Sequence, residues 1–160
     1  MIYLLSKNLR KSCTLLCDSH LNESIMDTGM ALSFYLWINQ PENVAFDAAH
    51  YFSNGHRDSK IHRALYPVRG RQDFYNWVAE SSSNYAFLMQ YLIELTEEHY
   101  FRLSKHHKLA YLIPHMPKME FKSITNNIDL ELRIKACKRR YMDMPVYWTW
   151  TNRDQPQNVL

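Results

Sequence analysis

Glycine is nearly missing: 3 of 160 residues are Gly. Tight hairpin turns draw on Gly for their left-handed positions, so a hairpin-rich all-β fold is excluded. The same shortage removes Gly-rich phosphate loops and the dinucleotide-binding turn of a Rossmann sheet. Neither a zinc-protease motif nor a nucleophile elbow occurs. Cysteine is sparse and odd in number, at three, with no secretory leader ahead of it, which argues against an oxidised scaffold. No apolar run approaches the roughly 18 residues that a membrane helix needs. Lys7, Arg10 and Lys11 follow the apolar start, the reverse of a signal peptide's charge order, so the expected compartment is the cytoplasm, with no membrane partner.

What is present suits one folded domain. A chain of 160 residues buries about 68–70% of its unfolded surface without help from disulfides or metals. Hydrophobic residues at 46% and charged residues at 22% exclude disordered and collagen-like chains. No internal repeat and no linker divides residues 1–160. The expected fold is all-α: a single compact multi-helix domain, with Ile2, Tyr3, Leu4 and Leu5 as a short buried strand or an apolar lead-in.

Periodicity places the helices. Leu9, Cys13, Leu16, Cys17 and His20 recur at helical spacing, predicting a helix over residues 8–18 with Ser6 or Asn8 as its cap. A second helix is predicted over 20–37, with Ile25, Met26, Met30, Phe34 and Trp37 near one stripe. Gly29 weakens it by about 1 kcal/mol relative to Ala and is a candidate kink. The run Asn39-Gln40-Pro41 stops it. From Pro41 to Gly70 the pattern breaks down, apart from a short helix expected near 58–65; so long an irregular stretch is often functional. Phe74, Trp77 and Val78 mark a helix ending near Ser81. The longest helix comes next, with Tyr85, Leu88, Leu92, Leu95, His99 and Arg102 recurring by three and four. Pro114 and Pro117 end the segment beyond Ser104, and a last helix is predicted over 127–142 ahead of an aromatic tail.

Net charge is only +3, but its distribution is uneven. Arg57, Lys60, Arg63, Arg69 and Arg71 face one acid, Asp58. Arg102, Lys105 and Lys108 sit with His106 and His107. Arg133, Lys135, Lys138, Arg139 and Arg140 precede Tyr141, Tyr147, Trp148 and Trp150. Basic clusters interleaved with aromatics suit nucleic acid, because cations neutralise phosphates and rings stack on bases. The competing reading is solvated helix faces over an aromatic core.

Cys13, Cys17 and His20 at i, i+4 and i+7 put two thiols and an imidazole on one helical face, but the usual short-loop zinc pairing is absent, so no metal and no cofactor is expected. The even spacing of His50, His56 and His62 is interrupted by the turn at Gly55. His20 and Asp27, seven apart with Glu23 between them, share a helix face. Such a pair can orient a substrate and move protons, or form a surface contact worth a few tenths of a kcal/mol.

A resemblance adds to this. The apolar start 2–5, Cys17-Asp18-Ser19-His20 and Asp27 resemble a family of small, largely uncharacterised phage and bacterial helical proteins, which usually carry Cys-Asp-Lys-His and then Glu. The likeness continues at Trp77, Ser81, Asn84, Tyr85 and Leu88. It runs through Glu97, Glu98, Tyr100, Arg102, Lys105, His107 and Lys108 to Trp150-Thr151-Asn152-Arg153. More distantly, the layout resembles the pyrimidine-dimer DNA glycosylases of the phage endonuclease V type, which pair an early His with a catalytic Glu seven residues on. Those enzymes attack the damaged nucleotide's sugar with an N-terminal amine; an α-amine pKa of about 7.7–8.0 suits that role. Here residue 2 is Ile where the glycosylases expose Thr, and Asp27 is one methylene shorter than Glu.

The resemblance implies a DNA-acting protein in a phage setting, with glycosylase-like base excision or base modification. Asp27 is then the acid or base and His20 orients substrate. Arg71, Arg102, Lys105, His107, Lys108, Arg139 and Arg140 are the expected phosphate contacts. A flipped base would be stacked by Trp77, Tyr85 or Trp150. The alternatives are a catalytically inactive nucleic-acid-binding protein and a phage protein-interaction or inhibitor module with a protein partner.

Overall fold

The computed structural model describes residues 2–39, 72–142 and 148–156, the side chains of residues 37, 72, 73, 140 and 142 excepted. The expected helix near 58–65, the three evenly spaced histidines and Arg71 lie outside these residues, as does the Arg140 side chain. Within them the chain is helical and contains no strand.

Helix α1 (Leu9–Leu15) starts where the Asn8 side chain accepts the Lys11 N–H at 2.9 Å. The chain turns extended at Leu16, with φ −72° and ψ 139°, and α2 (Asp18–Asn39) begins two residues on. No Gly or Pro announces this break. It removes the expected single face for Cys13, Cys17 and His20, which fall on either side of it. Helix α2 runs unbroken through Gly29, whose missing side chain has another use. A Cβ there would stand 2.9 Å from Leu109 Cδ1, so Gly29 lets a later turn press against the helix.

Helix α3 (Gln72–Ala79) leads to Ser81, whose hydroxyl accepts the Asn84 N–H and caps α4 (Ser82–Leu103). That helix ends at Ser104 in the left-handed region, φ 50°. Two 3₁₀ turns come next, Lys108–Tyr111 and Ile113–His115, and then α5 (Asn127–Met142).

Residues 2–5 are the apolar lead-in rather than a strand. Their backbone groups pair with side chains: Ser24 Oγ accepts the Tyr3 N–H at 3.1 Å, Ser12 Oγ accepts the Leu5 N–H at 2.8 Å, and Tyr91 donates to the Tyr3 carbonyl. A buried extended segment needs such partners when no neighbouring strand supplies them.

The core lies where α4 packs on α2, with α1 and α3 flanking it. Leu21, Ile25, Leu32 and Leu36 from α2 meet Leu88, Leu92 and Leu95 from α4. Among the described residues no helix is long and apolar enough to cross a membrane.

Candidate functional site

Three arrangements place the sequence-expected residues: a buried charge knot, a thiol–imidazole–aromatic cluster, and an exposed aromatic–basic patch.

The knot centres on Arg102, expected as a phosphate contact. The structure corrects this. Arg102 is 2% exposed and spends all five donors on protein. Nε donates to Glu98 at 2.8 Å, Nη1 to the Leu16 carbonyl and Asp18, and Nη2 to the carbonyls of Cys13 and Thr14. It ties the end of α1 and the start of α2 to α4. Arg153 closes the other side of Glu98 with two bonds of 2.9 Å. Burial alone would raise the Glu98 carboxyl, but the hydrogen bonds from Arg153 and Arg102 hold it below the usual carboxylate range. Asp18 is likewise held low against its burial by Thr151, Arg102 and Thr149, and so pins the C-terminal segment. The motifs 17–20, 98–102 and 150–153, far apart in sequence, therefore meet in space.

The residues expected to stack a base are also inside. Trp77 is 1% exposed and donates Nε1–H to the Thr125 carbonyl at 3.1 Å. Tyr85 is buried against Tyr35 with ring centroids 4.6 Å apart. Trp150 is buried and donates to the Leu15 carbonyl at 3.2 Å. Each ring fills core volume, and none offers a face to a base. Asp27 is 5% exposed, so it lies inside the fold and not on a solvated helix surface. Two turns of α2, about 10 Å of rise, separate it from His20.

His20 belongs to the second arrangement. Its ring stacks on Tyr3, centroids 4.1 Å apart and planes 19° off parallel, and meets Trp148 edge-on at 4.3 Å. Its Nδ1 lies 2.6 Å from Tyr141 Oη. Cys17 stands immediately before α2, its carbonyl accepting the Leu21 N–H, and its Sγ is 3.3 Å from Ser19 Oγ. Burial opposes its ionisation, but hydrogen bonds from the His20 side chain, Ser19 and the His20 backbone outweigh it and bring the thiol to about 7. Nearby Cys13 is pushed up, first by burial and then by Glu94 and Glu98. No group of three or more His, Cys, Asp or Glu able to hold a metal occurs among the described residues.

The cations of the third arrangement were expected from the sequence; its exposed tyrosines were not. At the C-terminal end of α4, Tyr100 is 48% exposed and stacks on the exposed His106, centroids 4.3 Å apart and planes 16° off parallel. Tyr111, 58% exposed, meets His106 edge-on at 6.2 Å. Lys105 and Lys108 lie exposed in the same segment, and Arg153 covers the Phe101 ring at 4.1 Å. The signal was available: Tyr100 falls off the stripe that carries Leu92, Leu95 and His99, so its ring points out.

Of the remaining phosphate candidates, Arg139 is exposed on α5. His107 differs. Its Nδ1 accepts the Leu109 N–H at 3.1 Å, capping a 3₁₀ turn, and burial, His99 and Lys108 bring its pKa down to about 4. It carries no charge at neutral pH and cannot serve there as a phosphate cation.

His107 also sets an acid limit. The unfolded imidazole takes its proton near 6.5 and the folded one near 4, so between these values the unfolded state binds more protons and stability falls as pH falls. The contribution is intact above about 6.5, and by pH 5 we expect about 1–2 kcal/mol to be lost after allowing for partial exposure. His107→Asn, which keeps an acceptor at the cap, should flatten this loss. Denaturant midpoints at pH 7 and pH 5 check it; an equal acid loss in the variant would place the effect elsewhere.

No protein-family model, no curated protein and no solved structure matches this chain.

Proposed function

We propose that the chain binds nucleic acid through the C-terminal end of α4 and the 3₁₀ turns after it. The exposed Tyr100–His106 stack beside Lys105 and Lys108 carries this reading. Rings left in water offer their faces to bases, each base–aromatic stack being worth about 1–3 kcal/mol, while the lysines neutralise phosphates. Stacking needs unpaired bases, so single strands or opened duplex suit the patch better than intact duplex. DNA rather than RNA follows from the motif resemblance, as does base excision or modification with His20 and Asp27 as its candidate groups.

Binding to labelled DNA, single-stranded and duplex, intact and ultraviolet-irradiated, across a salt series tests the reading. Affinity should fall steeply with salt, and Lys105→Ala with Lys108→Ala should reduce the log–log slope by about 1–2. Tyr100→Ala should weaken single-strand binding by about 1–3 kcal/mol. Turnover of irradiated DNA supports base chemistry, whereas binding without turnover leaves an inactive binder. Negligible binding at low salt overturns the proposal in favour of a protein-interaction module.

A further inference from the structure

We propose that the Arg153 guanidinium, seated on the Phe101 ring, is a second stacking platform beside Tyr100, so that the surface at the end of α4 grips two successive unpaired bases of one DNA strand. The inference rests on the nucleic-acid reading above and adds to it a second base and the residue that holds it.

Exposed apolar surface is concentrated at this end of the helix. Tyr100, Phe101, Leu103 and Tyr111 are four of the eight large hydrophobics exposed among the described residues. Phe101 is 47% exposed, and the Arg153 Cζ lies 4.1 Å from its ring centroid, within the range at which a guanidinium is attracted to a ring face. Tyr100 and Phe101 are neighbours in the chain, their Cα atoms about 3.8 Å apart and their side chains about 100° apart around the helix. A strand that lays one base on Tyr100 therefore has its next nucleotide within reach of Phe101 and Arg153.

A surface arginine ordinarily turns freely, and ordering it against a ligand costs binding energy. Arg153 is ordered beforehand. Its Nε and Nη2 each donate to Glu98 at 2.9 Å. Glu98 has no exposed surface and is held from its other side by Arg102 at 2.8 Å. The backbone beneath is fixed as well. The Arg153 N–H closes a turn on the Trp150 carbonyl at 3.1 Å, Asn152 donates to the Arg102 carbonyl at 2.8 Å, and the Thr151 hydroxyl donates to Asp18 at 2.7 Å.

Glu98 thus takes one edge of the guanidinium and Phe101 one face. The outer face and the Nη1 donors are left for the strand, with the side chain 29% exposed. A planar cation stacks on a base and attracts the adjoining phosphate together, which a lysine ammonium cannot do. The buried charge knot acquires a use at the surface: through Glu98 it sets the plane that the base meets.

The whole chain is titrated with a labelled single-stranded oligothymidylate, and with a strand of equal length whose nucleotides are abasic, across a salt series. Arg153→Lys retains the charge and loses the plane. It should weaken oligothymidylate binding about five- to tenfold, the low end of what one stacked base contributes, with the salt slope and the abasic-strand affinity unchanged. Phe101→Leu leaves the Glu98 bonds in place and removes the ring under the guanidinium, so it should show the same pattern with a loss of about two- to fivefold. If Arg153→Lys fails to fold, Phe101→Leu alone gives the answer. Full affinity in these variants while Tyr100→Ala weakens binding overturns the second platform and leaves the nucleic-acid reading standing. Losses of equal size on the abasic strand make Arg153 a phosphate contact and also overturn it. No binding of the native chain to either strand overturns both.

Discussion

Replacing Arg102 by Met should destabilise the chain by about 3–5 kcal/mol, the expected cost of removing one partner from a buried charge cluster. The guanidinium has no exposed surface, and Glu98 opposite it has none either. Without Arg102, Glu98 keeps only Arg153, and the carbonyls of Cys13, Thr14 and Leu16 lose a donor together. The last turn of α1 and the first turn of α2 lose their common tie to α4. Arg102→Lys should recover only part of the loss, because an ammonium has three donors to offer five acceptors. Denaturant unfolding of both variants at pH 7 checks this. A loss below about 1 kcal/mol in the Met variant would mean that the knot is not intact in solution. It would also reopen Arg102 as a phosphate contact.

Trp77→Ala should cost about 3–5 kcal/mol, the range for emptying the space of a buried aromatic. Trp77 packs edge-on to Phe74 and Phe87, and its indole N–H holds the Thr125 carbonyl. Asn84 completes the clamp: its Oδ1 accepts the Thr125 N–H at 2.9 Å, and its Nδ2 donates to the Trp77 carbonyl at 2.8 Å. One residue of the approach to α5 is thus gripped at both backbone groups by α3 and α4. Trp77→Phe keeps most of the ring and loses the N–H, so its cost should be about 1–3 kcal/mol. The pair also separates two roles. A core residue loses stability on truncation to Ala; a base-stacking residue loses DNA affinity and little stability. We expect the first pattern at Trp77 and the second at Tyr100, and unfolding and single-strand binding on both variants read the contrast.

Much of the helical layout was legible because it depends on local spacing. The period through Tyr85, Leu88, Leu92 and Leu95 is one face of one helix, and Ser81 ahead of it is a cap by its own chemistry. The last helix occupies the predicted residues for the same reason. The stripe even carried Arg102 inward, yet its charge pointed to phosphate. Burial followed the period, because a set of fixed acceptors was waiting on that face. The division into two helices was legible, but its place was not: it was expected between residues 18 and 20 and falls at Leu16, where nothing local demands it and Arg102 holds it from α4.

The sequence by itself determined the helices of the described residues, the apolar stripes along them, and the clustering of cations with aromatics. Those properties come from period, capping and composition, which act within a few residues. The tertiary structure alone decided which rings remain in water, which cation is consumed by buried acids, and that His20 meets Tyr141 and Trp148. These contacts join segments far apart in the chain, as in the Arg102–Asp18 contact across 84 positions and the His20–Tyr141 bond across 121. Proximity of that kind is fixed by packing α2, α4 and α5 around one core, and no local pattern encodes it.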